Sequence, residues 1–258
     1  MTPAPASFDE LVDDGAGAPI EGWDFTWFDG RAREERAPWG YALLVARRLG
    51  HAQAVLDLST GGGEVLAFSL DHAPRHPRRV AATESYPPNL ERARRRLAPF
   101  GATVEQAGEH GPFPFADASF DLVVSRHPVA TAWAEVARVL QPGGTFLTQQ
   151  VGPGSNRELI DLLMGPQPVD PARDPRREVA AATAAGLEVV LLREARCRVE
   201  LDDVGAVVHF LRKVPWTVPG FTVDAYRDRL RHLHEQIGRD GPFVSTSVRY
   251  LLEARRAS

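Results

Sequence analysis

Three stretches of this chain gather residue types that could do chemistry. In VLDLSTGGGE, an acid closes an apolar run and three consecutive glycines follow. Gly61, Gly62 and Gly63 carry no Cβ, so the backbone there can turn tightly and come close to a ligand. Asp57 is the acid, and Ser59 and Thr60 fill the bend before the glycines. In RVAATES, Glu84 ends a second apolar run. A carboxylate in that position can accept hydrogen bonds from both hydroxyls of a ribose, a charge-assisted bidentate arrangement. A GxGxxG dinucleotide fingerprint read from Gly61 meets Leu66 where its third glycine should open helix against strand, which weakens that reading.

The third stretch, FDLVVS, runs into Ser125, Arg126 and His127. The ordinary imidazole pKa of about 6.5 lets a histidine accept a proton near neutrality, so His127 is the expected general base. Gln149 and Gln150 end GTFLTQQV, where an amide can orient a polar group through its donor and its acceptor. Arg126, His127 and Gln150 are the expected substrate contacts at this edge. Trp23, Trp27 and Trp39, with His209, Phe210 and Trp216 further along, offer surface to enclose a small molecule. Of these, Trp27, Trp39, His209 and Trp216 are the expected contacts. His232 and His234 sit two positions apart on a helical pattern, where side chains diverge by about 200°, so no metal is expected.

The elements that must position these residues follow from periodicity. From Ala54, short apolar runs (AVLDLS, RVAATES, TVEQAG, FDLVVS, GTFLTQQV) alternate with helical patterns near residues 63–73, 87–98 and 129–140. That alternation predicts a mostly parallel sheet with helices on both faces. Pro142, Gly143 and Gly144 should end a helix and turn the chain into the next strand. A helix over Tyr41–Leu49 precedes the first strand, and LEVVLLREARC continues the alternation to Cys197. Residues 202–240 break it with two helical patterns joined by VPWTVPGF, whose prolines forbid one continuous helix. PFVSTSVRYLLEAR then reads as a closing, antiparallel strand. The expected organisation is an arm and capping helix over 1–50, an open α/β domain over 51–200, a helical cap over 201–240, and the last strand over 241–258.

The acid followed by spaced glycines resembles the first motif of class I S-adenosylmethionine-dependent methyltransferases. Asp57, Gly61 and Gly63 fit it, with Ser59 in place of its first glycine. FDLV and LQPGG, downstream and in the expected order, resemble further elements of that family over roughly residues 40–151, and the chain is similar to the type 11 bacterial group. The resemblance implies a Rossmann-like fold and S-adenosylmethionine as cofactor, with S-adenosylhomocysteine as product. It implies contacts at Asp57, the Ser59–Gly63 bend, Glu84 and Ser125, with Glu109 or His110 facing the adenine amino group. Methyl transfer from a sulfonium needs an in-line nucleophile, so orientation and exclusion of water can supply much of the acceleration. The acceptor is expected to be an oxygen or nitrogen atom of a small molecule. An RNA methyltransferase and a non-catalytic cofactor-binding protein are the alternatives.

Composition bounds these readings. At 258 residues, 43% hydrophobic and 25% charged, the chain has the make-up of an ordinary globular protein. A formal net charge of -4 disfavours a broad polyphosphate-binding surface. Cys197 is the sole cysteine, which excludes an intrachain disulfide and fits a reducing cytoplasm. The first residues match neither a signal peptide nor a membrane anchor. The expected state is a cytoplasmic monomer or homodimer.

Overall fold

The computed structural model describes residues 6–22 and 25–258. Its eight strands are β1 (Ala32–Glu34), β2 (Ala54–Leu58), β3 (Arg79–Glu84), β4 (Thr103–Gln106), β5 (Phe120–Arg126), β6 (Leu140–Val151), β7 (Leu187–Leu201) and β8 (Phe243–Arg256). They form one sheet in the order β1-β7-β8-β6-β5-β2-β3-β4. Strands β4, β3, β2, β5 and β6 run parallel, whereas β8 runs antiparallel to β6 and β1 antiparallel to β7. The strand order reverses between β2 and β5, the place where open α/β sheets bind ligands beyond their carboxyl ends. The predicted Rossmann-like α/β class and the antiparallel last strand are both observed.

Helices are α1 (Phe8–Gly17), α2 (Tyr41–Leu49), α3 (Glu64–Asp71), α4 (Pro87–Leu97), α5 (Trp133–Val139), α6 (Arg157–Met164), α7 (Pro175–Ala184), α8 (Val204–Lys213) and α9 (Val223–Asp240). The chain divides into two compact units. The larger comprises residues 37–153, 171–195 and 249–258. On one face of its strands, Val55, Val124, Leu147 and Leu251 pack with Tyr41, Val45 and Leu49 of α2 and Leu66 and Leu70 of α3. On the other, Leu56, Val123, Phe146 and Leu252 pack with Val136 of α5 and Ala182 of α7. Period-two alternation along each strand thus separates two apolar layers, as a sheet covered on both faces requires.

The smaller unit comprises residues 1–36, 154–170 and 196–248. It draws on three separate stretches of the chain, the last of which contains residues 201–240. Its core joins Phe8 and Val12 of α1 to Val204, Val208 and Leu211 of α8 and Leu230 and Leu233 of α9. The helices α1 and α8 meet backbone to backbone: a Cβ on Gly15 would lie 2.3 Å from the Gly205 carbonyl oxygen. Phe8 packs edge-on against His234.

Two boundaries differ from the sequence reading. β6 begins at Leu140, and Pro142–Gly144 form an irregularity inside it, where the partner of Phe120 is Leu140 and that of Leu122 is Thr145. The pairing of Leu140 with β5 overrides the helix-ending signal of the Pro-Gly-Gly run. The short strand β1 was not foreseen, because three residues carry no readable alternation. Among the described residues, no helix is long and apolar enough to cross a membrane.

Candidate functional site

The glycine bend lies between β2 and α3. Ser59 has φ +53°, Gly61 +63° and Gly63 +80°, so three residues within five adopt the left-handed region. Gly63 caps α3, and a Cβ there would press on Leu97 Cγ at 3.1 Å, so both its conformation and its contact with α4 require glycine. Ser59, standing where the motif has glycine, holds the same strained conformation. The bend is tied to β3: the Thr60 N–H donates to the Thr83 carbonyl at 2.9 Å, and the Ser59 N–H to the Thr83 hydroxyl at 3.3 Å.

Two carboxylates face this bend. Asp57 is buried at the end of β2 and accepts the Thr60 hydroxyl at 2.6 Å. Burial pushes its carboxyl up to about 7, against the lowering effect of the Thr60 hydrogen bond, and the charge of Glu84 adds to the rise. Glu84, also buried, accepts the Gly61 N–H on Oε2 at 2.8 Å and the N–H groups of Ser85 and Tyr86 on Oε1 at 2.9 and 2.8 Å. A carboxylate offers about four lone-pair sites, so about one is left, on Oε2. Capture of both ribose hydroxyls therefore requires one of these backbone bonds to give way.

Glu109 and His110 separate in space. Glu109 is half-buried, and burial raises its pKa against the lowering effect of the Val129 and Ala130 backbone. It lines a cavity of about 10 Å³ together with Leu58, Ser59, Ser125 and Thr131. His110 is exposed and is not among the residues lining that cavity. Ser125 is buried, and its hydroxyl donates to the Leu58 carbonyl at 3.1 Å. It clamps β5 to β2, which leaves only acceptor capacity for a ligand.

His127 follows β5 with φ +55° and lies half-buried. Its backbone N–H donates to the Gln149 carbonyl at 2.7 Å, and its Nε2 lies 2.9 Å from Gln149 Nε2. Gln149 is oriented from its other end, because Trp39 Nε1–H donates to Gln149 Oε1 at 2.6 Å. An indole nitrogen only donates, so Oε1 is the acceptor and the amide nitrogen must donate to His127. The imidazole is then neutral, with its proton on Nδ1 and its Nε2 lone pair engaged. Burial, followed by Arg126, Arg249 and Arg173, lowers its pKa well below the usual histidine range. In this arrangement His127 accepts from Gln149 on Nε2, and its ring hydrogen on Nδ1 is its donor.

Gln150, expected as a substrate contact, is placed differently from Gln149. It points to the opposite face, where its amide donates to the Thr131 hydroxyl at 3.1 Å and accepts the Tyr250 hydroxyl at 2.8 Å. Only 8% of it is exposed, and it joins a buried network with Glu178 and Trp133. Trp39 is buried as the strut behind Gln149 and is not a pocket wall. In the smaller unit the Trp27 ring lies tilted against His209 at 4.4 Å, Trp27 packs on that unit's core, and Trp216 is exposed. His209 is fully buried, and burial lowers it to about 4, which keeps the imidazole neutral at neutral pH. Trp23 lies outside the described residues.

Sequence reasoning missed Arg138. It donates to the Phe113 and Phe115 carbonyls at 3.0 and 2.7 Å and pairs with Glu135 and Asp117, pinning the loop that carries Glu109. Glu135 and Arg138 at i and i+3 on one helix were the readable part of that signal.

Residues 56–148 match the model of the methyltransferase domain family, type 11. No curated protein sequence matches the chain. Among solved structures, the chain resembles a candidate methyltransferase from Bacillus halodurans C-125 at 18% identity and a TM-score of 0.59, covering 86% of this chain and 99% of that one. A functionally unknown protein from Deinococcus radiodurans R1 aligns at 17% identity and TM-score 0.57 over 96% and 98% of the two chains. A geranyl diphosphate methyltransferase in complex with S-adenosylmethionine aligns at 15% and 0.51, over 84% of each. At these identities the structural likenesses speak for the fold, and the family match over β2–β6 speaks for the domain. The chain carries a class I, S-adenosylmethionine-dependent methyltransferase domain and is an enzyme of that class.

Proposed function

We propose that this enzyme holds S-adenosylmethionine with Asp57, the Ser59–Gly63 bend, Glu84 and Glu109, and methylates an oxygen or nitrogen atom of a small molecule. The observation that carries the reading is the pair of buried carboxylates, Asp57 and Glu84, facing a glycine bend at the point where the strand order reverses. Adding a pyrophosphate beside two carboxylates would be repulsive, whereas a cation relieves the cost of ionising Asp57. When bound, the cofactor supplies an electrophilic methyl group on a sulfonium and a cationic ammonium on its amino-acid portion. The residues fit that group: Asp57 answers a positive charge, Glu84 Oε2 a hydroxyl and Glu109 an amino donor. Ser125, between Leu58 and the cavity, keeps the floor closed to water.

On the acceptor side the protein orients and does not deprotonate. With the Nε2 lone pair of His127 engaged by Gln149, the acceptor atom must arrive with its own lone pair available. The net charge of -4 favours a small molecule over a polyanion. Two measurements test the proposal. Calorimetry should show binding of S-adenosylhomocysteine to the intact protein. Incubation with methyl-labelled cofactor should place label in a metabolite extract and not in RNA; label in RNA alone would overturn the acceptor class.

A further inference from the structure

The sheet face that packs on α2 ends, at its carboxyl edge, in a row of donors. Val124, Leu147 and Leu251 lie in one apolar cluster with Tyr41 and Trp39 and so mark one face of β5, β6 and β8. One step of two residues toward the carboxyl edge gives Arg126 on β5, Gln149 on β6 and Arg249 on β8. The register agrees: Arg126 pairs with Gln149, Gln149 with Leu251, and Val151 with Arg249. Two strand spacings of ~4.8 Å and a two-residue offset put the Arg126 and Arg249 backbones on the order of 12 Å apart. Two arginine side chains span that distance, so both guanidinium groups can reach one small ligand.

His127 follows Arg126 at the end of β5, with Nδ1–H as its donor. After burial, the charges that lower this imidazole are the guanidinium groups of Arg126, Arg249 and Arg173, the last from the 3-10 turn before α7. The Arg193 guanidinium of β7 lies 5.9 Å from the Trp39 ring centre. Arg126 is exposed, and His127, Arg173 and Arg249 are half-exposed, so the edge is open to solutes. By contrast, the bend on the neighbouring strands carries carboxylates. The carboxyl edge is thus split into an acidic pole at β2 and β3 and a basic pole at β5, β6 and β8, where Arg126 and Arg249 each already hold contacts within the protein.

We propose that the basic pole is an anion subsite, and that the methyl acceptor is a small molecule bearing a carboxylate or phosphate group held by Arg126, Arg249 and the Nδ1–H of His127. Guanidinium forks match the oxygens of both groups, and a donor-only imidazole completes the set. The anion is the handle by which the acceptor is oriented. This rests on the methyltransferase reading above, and the test separates the two.

Inorganic pyrophosphate and benzoate are titrated by calorimetry into the intact protein at low ionic strength, with and without saturating S-adenosylhomocysteine. Saturable one-to-one binding of at least one anion is expected, and its identity distinguishes phosphate from carboxylate. Arg126→Gln and Arg249→Gln should each weaken it about tenfold or more, while Arg75→Gln, on the exposed loop after α3, should not. Thermal melts of each variant exclude misfolding as the cause. Binding that survives both substitutions, or no binding of either anion, would overturn the inference. So would salt-sensitive binding of an RNA oligonucleotide that neither anion displaces. Failure of S-adenosylhomocysteine to bind would instead strike the cofactor reading, and the titration without it still decides the subsite.

Discussion

Asp57 makes the acidic pole sensitive to pH. A carboxyl at about 7 in the folded chain and ~3.9 when unfolded holds a proton between those values only in the folded state. Its favourable contribution to stability is present below the unfolded value and is lost as pH rises toward 7. A cationic ligand acts in the opposite sense by favouring the ionised form. Affinity for S-adenosylhomocysteine should therefore rise from pH 5.5 to 8 with release of up to one proton, and Asp57→Asn should flatten the dependence in calorimetry. The relay at the basic pole makes a second residue-scale prediction. Gln149→Glu replaces the amide donor facing His127 with an acceptor, so the imidazole pKa should move up by at least one unit, read by NMR of the ring. Gln149→Met removes the donor without adding charge and should move it less.

The strand-to-helix bend and the loop held by α5 set the precision of the cofactor site. Ser59 bears a left-handed conformation that costs an L residue ~1–2 kcal/mol, part of which glycine returns through chain entropy. Ser59→Gly should leave stability unchanged or raise it by up to about 1 kcal/mol. Gly63→Ala combines positive φ with the contact on Leu97 and should destabilise by about 1–2 kcal/mol in denaturant melts. Arg138→Ala removes the donors that fix the Phe113 and Phe115 carbonyls. Faster hydrogen exchange over residues 107–119 and several-fold weaker S-adenosylhomocysteine binding are expected, with α2 and β8 unaffected.

Across the larger unit, the buried carboxylate of Glu253 on β8 is paired with Arg48 of α2 at 2.6 Å and lies 3.6 Å from Arg255. Glu253 is 4% exposed as a side chain, so Arg48→Met strands a charge in the interface between helix and sheet. A loss on the order of 2–3 kcal/mol is expected, and the double variant with Glu253→Leu should recover much of it. Ligand linkage gives a global readout of the site. S-Adenosylhomocysteine at 100 times its dissociation constant should stabilise by about 2.7 kcal/mol and raise the melting temperature by several degrees.

What local order dictates was legible in the chain. Alternating apolar runs located β2, β3, β5, β7 and β8 to within a few residues, and the prolines of VPWTVPGF separated α8 from α9. Asp57, the glycine bend and Glu84 were readable because they lie at the ends of strands whose period exposes the edge. The rest needed partners distant in sequence. Gln149 and Gln150 are adjacent and chemically identical, yet alternation sends one to Trp39 and His127 and the other to Tyr250 and Thr131. The role of His127 turned on which atom of Gln149 faces it, and that was fixed by an indole 110 positions away. A sequence names the residues able to give or take a proton; only the fold decides which lone pairs are already engaged.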